Sequence, residues 1–261
     1  MPDDNRNTTK KRKKTEGSPI SGPLEIAPSV DDGKKAKREQ ASQQKIIVLL
    51  DRARLETAKT RKGAFELLNC DDHHDLCKKN KKNPADYRPD ICHQELLALM
   101  DSPLNKAGRL KVYIRTENNV LIEFNPAIRV PRTFKRFSGL MVQLLHKMKI
   151  KASTGDVLLK VVKNPFSQYL PAGVRGYGLS VGGTLYSPAA VARTLVPDVS
   201  SNGSSIPSDV CFVIGAMASG SISRGDHEFI EKMIGISEYP LSGAAAINRL
   251  LGSIETQWDI V

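Results

Sequence analysis

Two short runs of uninterrupted apolar residues, Ile46-Ile47-Val48-Leu49-Leu50 and Val210-Cys211-Phe212-Val213-Ile214, limit the fold most tightly. A strand with one face in water alternates apolar and polar residues. A strand without that alternation is covered on both faces, as in a parallel sheet sandwiched by helices. The segments around these runs agree. Leu55 to Leu68, His93 to Met100, Thr133 to Met148, Ala189 to Leu195 and Ser242 to Trp258 read as helices. The clearest is Thr133 to Met148, where Phe134, Phe137, Leu140, Met141, Leu144, Leu145 and Met148 recur at three- and four-residue steps. Leu110 to Arg115 and Val120 to Phe124 flank Glu117-Asn118-Asn119 and predict a hairpin. Leu158 to Val162 and Ile234 to Ser237 read as further strands. Strands alternating with helices predict an α/β domain with a mostly parallel sheet.

Residues 1–44 differ in kind. Ser, Pro, Gly, Lys and Asp dominate, apolar periodicity is absent, and the segment reads as a disordered basic tail ahead of a domain at 45–261. It carries two basic clusters, Lys10-Lys11-Arg12-Lys13-Lys14 and Lys34-Lys35-Ala36-Lys37-Arg38, which suit a nuclear import receptor, RNA phosphates, or simply a solvated tail. The whole chain has 39 Lys and Arg against 28 Asp and Glu, a net charge of +11 that favours anionic partners. No apolar run reaches the roughly 18 residues of a membrane span, so no membrane partner is expected, and Met1 to Thr15 has no apolar stretch of a secretory signal. The four cysteines read as reduced thiols rather than a disulfide framework.

Several patterns bear on chemistry. Gly215-Ala-Met-Ala-Ser-Gly220 follows the second apolar run, where open α/β sheets admit ligands, and is either a ligand-facing turn or an ordinary tight turn. It lacks the spacing of a phosphate loop or a dinucleotide fingerprint. Gly178-Leu-Ser180-Val-Gly182 has the form of a nucleophile elbow, but no apolar strand is evident before it and no helix starts at the serine. Cys70, His73, His74, Cys77, Cys92 and His93 match no common zinc spacing, so no metal is expected. Arg88-Pro89-Asp90 and Arg129-Val-Pro-Arg132-Thr-Phe-Lys-Arg136 concentrate guanidinium groups, which bind phosphates and stack on bases or form a solvated basic face. Asp90 stands close enough to orient Arg88.

Taken in order, Leu55-Glu-Thr, Glu66-Leu-Leu-Asn-Cys70-Asp, Arg88-Pro-Asp90-Ile, Met100-Asp-Ser-Pro-Leu-Asn105, Val120-Leu-Ile-Glu123, Pro131-Arg-Thr-Phe134, Phe137-Ser-Gly-Leu-Met-Val-Gln-Leu-Leu-His146 and Ile236-Ser-Glu-Tyr-Pro-Leu-Ser242 resemble the eukaryotic small-subunit ribosomal-RNA pseudouridine-N1 methyltransferase family. The resemblance covers nearly all of 45–261 and leaves out the tail. It implies the SPOUT-type knotted α/β fold, with a hairpin-containing segment at about 103–132, working as a homodimer. It implies S-adenosyl-L-methionine as methyl donor, held by Thr184, Gly215, Gly220, Ile236, Ser237, Glu238, Tyr239, Pro240 and Leu241, with Ile236 and Leu241 flanking the adenine. Arg88, Arg129, Arg132 and Arg136 would contact the RNA. Asp90 would orient Arg88 or act as general base. Ribosome-assembly factors as partners and a nuclear, nucleolar location follow from the same source. The competing reading is a non-catalytic RNA-binding assembly factor. Gly243, a weak helix former opening the last helix, is unexplained at this level.

Overall fold

The computed structural model describes residues 44–60, 63–196 and 209–261. Of the predicted tail at 1–44, residues 1–43 lie outside the described residues, as does the polar loop at 200–208; Gln44 is described and is buried.

Both apolar runs are strands buried on both faces. β1 (Ile46–Ala53) lies between β4 (Leu110–Thr116) and β9 (Val210–Gly215), parallel to each. Residues 46 to 51 of β1 are all buried. On the other side of β9 runs β8 (Arg175–Leu185), and beyond it the edge strand β10 (Ile230–Gly235), again parallel. Past β4 the sheet turns antiparallel through β5 (Leu121–Phe124), β7 (Val157–Val162) and β6 (Lys149–Lys151). The eight strands therefore run β10-β8-β9-β1-β4-β5-β7-β6, and the expected hairpin extends the parallel part.

Ile46, Val48 and Leu50 point into the larger core, together with Leu96, Phe137, Met141, Leu144, Leu250 and Ile254 from the helices. Ile47 and Leu49 point the other way, onto a smaller cluster with Tyr113, Phe166, Cys211 and Ile222. This two-sided cover is why the strand sequence shows no alternation. The helices are α1 (His74–Lys79), α2 (Pro89–Met100), α3 (Pro103–Lys106), α4 (Phe134–Lys147), α5 (Pro188–Leu195) and α6 (Gly243–Gln257). Helix α4 buries Phe137, Met141 and Leu144, at four- and three-residue steps, and closes on Met148 at φ 59°.

Three expectations change. The segment expected as a helix at Leu55 to Leu68 is an antiparallel hairpin, β2 (Thr57–Lys59) with β3 (Phe65–Leu67). Gly63 sits in its turn at φ 82°, with its amide donating to the Thr60 carbonyl. A glycine costs a helix interior about 1 kcal/mol but suits a left-handed turn. The strand placed at Ile234 to Ser237 runs instead over Ile230–Gly235; its polar Glu231 and Lys232 are tolerated because the strand lies at the sheet edge. Strand β8 was not expected at all. Two of its glycines stand where neighbouring chain crowds them: a β-carbon at Gly178 would lie 2.5 Å from Met233 Sδ, and one at Gly183 would lie 2.6 Å from the Ile234 backbone.

Candidate functional site

Strand β8 does not stay in register with β10. Gly178 pairs with Met233 and Thr184 with Ile234, so Leu179 to Gly183 leave the ladder while the partner strand advances one residue. This excursion forms one wall of a cavity of about 630 Å³. Ile214 and Gly215 at the end of β9, and Ile236 and Ser237 just past β10, form the next walls. Gly220, Tyr239 and Leu241 come from the connecting loops, Ala246 from α6, and Ile91 and Glu95 from α2. The position is the carboxyl edge of parallel strands, where such sheets admit ligands.

Of the residues that the resemblance assigns to the methyl donor, Gly215, Gly220, Ile236, Ser237, Tyr239 and Leu241 line this cavity. Thr184, Glu238 and Pro240 are not among its lining residues; Thr184 is taken up in the ladder opposite Ile234. Gly220 has φ 92° and nothing within 4 Å of an added β-carbon, so its need for glycine is conformational. Gly215 is different, since a β-carbon there would lie 2.7 Å from the Met217 Cε methyl.

Behind the glycine turn, Asp51 anchors β1. It is paired in register with Gly215, and its carbonyl accepts from Ala216 N–H at 2.8 Å. Its fully buried carboxylate takes Arg115 Nε at 2.6 Å and a second guanidinium nitrogen at 2.8 Å, with His227 Nε2 at 3.0 Å. Burial opposes the Asp51 charge, but the bonds to His227 and Arg115 outweigh it and hold the carboxyl below its usual range. His227 is thus engaged by Asp51. Ser180 lies on the β8 excursion, not on a strand–turn–helix elbow, and no histidine bonds it among the described residues. The sequence did have a strand ahead of the serine, contrary to expectation, but the other parts of an elbow are missing.

The arginine face is built on the same helix α2. At its N-terminus Arg88 donates to both Asp90 oxygens, at 2.8 and 2.6 Å. The bonds from Arg88 lower the Asp90 pKa against the effect of burial, which makes Asp90 a weak base. Mid-helix, His93 lies 2.7 Å from the Pro131 carbonyl and stacks on Phe137 with ring centroids 4.4 Å apart. This fixes the segment carrying Arg129, Arg132 and Arg136, all three exposed. Arg132 approaches Asp101, the residue capping α2, at 3.6 Å. A 12-residue helix spans about 18 Å, so Arg88 and Arg132 are spread along α2 rather than bunched.

Glu95, Ile91 and the β8 excursion were not singled out from the sequence. Glu95 carried a usable signal: it falls among Cys92, Leu96 and Leu99 on the buried side of an apolar helix, an unusual place for an acid. The histidines and cysteines weighed as metal ligands do not come together. His73 bonds the Asn69 amide and Glu66, His93 meets the Pro131 carbonyl, and Cys70, Cys77 and Cys92 are free thiols, the last two buried. Among the described residues no group of three or more candidate ligands converges, and no helix is long and apolar enough to cross a membrane.

Comparison with known proteins agrees with this architecture. The chain is 46% identical over 222 residues to the ribosomal RNA small subunit methyltransferase NEP1 of Drosophila melanogaster, covering 85% of each chain. It is 49% identical over 218 residues to the protein of that name from Homo sapiens, covering 83% of each. The solved structure of Archaeoglobus fulgidus Nep1 bound to S-adenosylhomocysteine matches with a TM-score of 0.64 at 23% identity, over 83% of this chain and 99% of that one. The fold is accordingly the SPOUT-type α/β fold with a mostly parallel sheet. Residues 48–255 match the family described as EMG1/NEP1 methyltransferase, and the chain belongs to that family.

Proposed function

We propose that this methyltransferase uses S-adenosylmethionine to methylate N1 of a pseudouridine in small-subunit ribosomal RNA. The observation that carries the reading is α2, which forms part of the cavity with Ile91 and Glu95 and holds the arginine face with Arg88, His93 and Asp101. Donor and RNA would meet across one helix. The cavity fits the donor: Ile91, Ile214, Ile236 and Leu241 offer apolar flanks for a purine, and a buried acid without a partner supplies a polar contact. The Archaeoglobus fulgidus relative was solved with S-adenosylhomocysteine, the product of methyl donation.

When bound, the donor supplies an electrophilic methyl group. The chain's own part is to position. Arg88, held in a fixed plane by Asp90, and the exposed Arg129, Arg132 and Arg136 would take RNA phosphates and stack on bases. A base within a helical stack cannot reach the cavity, so the target would be flipped out. The β8 excursion, with Gly182, leaves backbone at the cavity wall where a base could approach. Much of the barrier lowering would come from holding nitrogen and methyl in line. Asp90 serves this reading as the residue that positions Arg88, since both of its oxygens are engaged.

The remaining parts of the reading are a homodimer, association with ribosome-assembly factors, and a nuclear and nucleolar location. The exposed apolar side chains Val181, Leu185 and Tyr239 beside the cavity support the dimer. The basic clusters at 10–14 and 34–38 support import. Titration calorimetry with S-adenosylmethionine tests the core of the proposal. Saturable binding by the wild type, lost in Ala246→Phe, which fills the cavity from a helix, is expected. Undiminished binding by a folded Ala246→Phe variant would place the donor elsewhere. Wild type that binds RNA but no donor would favour the non-catalytic assembly factor.

A further inference from the structure

One group in the cavity has no role in the account above. Glu95 is 1% exposed, and neither of its carboxyl oxygens has a hydrogen-bond partner among the described residues. An unpartnered buried polar group is costly, and a carboxyl is an extreme case. The fold nevertheless makes room for it. The first residue of α6 facing it is Gly243, where a β-carbon would lie 2.8 Å from the Glu95 carboxyl carbon. This accounts for a glycine at a helix start. Charge around Glu95 is sparse. On α2 the neighbouring titratable group is the Cys92 thiol, itself buried and pushed up; on the loops lining the cavity it is Tyr239, and α6 and β8 present none to the cavity. Burial alone pushes the Glu95 carboxyl up to about 8, so the group is protonated at neutral pH.

A protonated carboxyl carries an acceptor C=O and a donor O–H side by side. An adenine edge carries the complement, an amino donor beside a ring-nitrogen acceptor. We infer that the Glu95 carboxyl reads the adenine of S-adenosylmethionine, its C=O accepting from the 6-amino group and its O–H donating to the adjacent ring nitrogen. The apolar flanks of the cavity hold the ring, and Glu95 favours a purine whose edge sets a donor beside an acceptor over one that lacks the 6-substituent. Gly243 serves indirectly, by leaving the carboxyl its place. This inference rests on the cavity being the donor site.

The test is calorimetric titration with S-adenosylhomocysteine and with its 6-deamino analogue, in which hydrogen replaces the 6-amino donor. Wild type, Glu95→Gln and Glu95→Leu are compared at pH 6.5 and pH 9. Wild type is expected to prefer the adenosine ligand and to lose about 10-fold in affinity between the two pH values as Glu95 ionises. Glu95→Gln keeps a donor and an acceptor, so it should keep the preference and lose the pH dependence. Glu95→Leu should bind S-adenosylhomocysteine roughly 5- to 150-fold more weakly and discriminate poorly. Undiminished affinity and preference in Glu95→Leu would overturn the inference while leaving the donor site intact. Wild-type binding that strengthens at high pH and is lost in Glu95→Gln would also overturn it, because the carboxylate would then be pairing with a cationic part of the ligand. Failure of the wild type to bind either ligand would overturn both the inference and the donor-site reading.

Discussion

Replacing Asp51 with Asn tests whether the end of β1 is held as the structure indicates. The wild-type carboxylate is fully buried and bonds two Arg115 nitrogens and His227, at 2.6, 2.8 and 3.0 Å. Asparagine is nearly the same size but has one acceptor oxygen and a donor amide in place of the second. One of these donors would then face another donor, and Arg115 would lose its counter-charge. Bonds to charged groups contribute about 1.5–3 kcal/mol each, and breaking a buried pair from one side costs about 3–5 kcal/mol. Asparagine retains part of the contact, so we expect a loss of about 3 kcal/mol, read by urea unfolding at pH 7. The sign of the pH dependence follows from the Asp51 pKa, which is lowered in the fold. Its contribution is present above the unfolded value of about 4 and is lost as pH falls through the folded value. The wild type and Asp51→Asn should therefore differ most at pH 7 and converge towards pH 3. Removing both charges in Asp51→Asn with Arg115→Met should recover part of the loss. A single variant within about 1 kcal/mol of wild type at pH 7, or a gap that widens in acid, would refute the reasoning. Because Asp51 lies in register with Gly215, the single variant should also weaken S-adenosylmethionine binding.

Arg132→Ala should weaken binding to a small-subunit ribosomal-RNA fragment by about 1–3 kcal/mol and leave the melting temperature unchanged, since its side chain is exposed and its link to Asp101 is long; unchanged RNA affinity would remove it from the RNA face. Gly183→Ala should destabilise the protein by about 1–3 kcal/mol in chemical denaturation, because the new methyl group meets the Ile234 backbone rather than a side chain that can turn away. With a thiol reagent under native conditions, Cys70 should react first and slowly, since burial and Asp71 push its thiol up, while the buried Cys77, Cys92 and Cys211 should react only on unfolding. Fast labelling of Cys211 in the folded protein would contradict the packing of β9.

What could be read in the sequence depended on how local the cause was. Helix α4 announced itself because one helix face meets one core, so Phe137, Met141 and Leu144 carry the period themselves. β1 and β9 announced themselves because burial on both faces removes polar residues from the runs 46–50 and 210–214. β8 could not, because its residues are chosen by what lies beside them. Gly178 and Gly183 answer to Met233 and Ile234, some fifty positions on, and a glycine-rich stretch looks locally like a loop. In the β2–β3 hairpin Leu55, Leu67 and Leu68 suit either period, and only the left-handed turn at Gly63 distinguishes a hairpin from a helix. The glycine turn from Gly215 to Gly220 is visible as a pattern at the end of an apolar strand, whereas Ile236 to Leu241 carry no such pattern and rest on resemblance; the meaning of Glu95 depends on Gly243, on another helix.

Helix α2 is a wall held in common by the cavity and the arginine face. Two ligands that press on opposite sides of one stiff rod are linked in thermodynamic terms. If RNA gripping Arg88 and the Arg129–Arg136 segment shifts α2 and changes donor affinity by some factor, the donor must change RNA affinity by the same factor. The protein would then count its substrates together, and spent and fresh donor, which differ by one methyl group and one charge, would leave the RNA bound with different strengths.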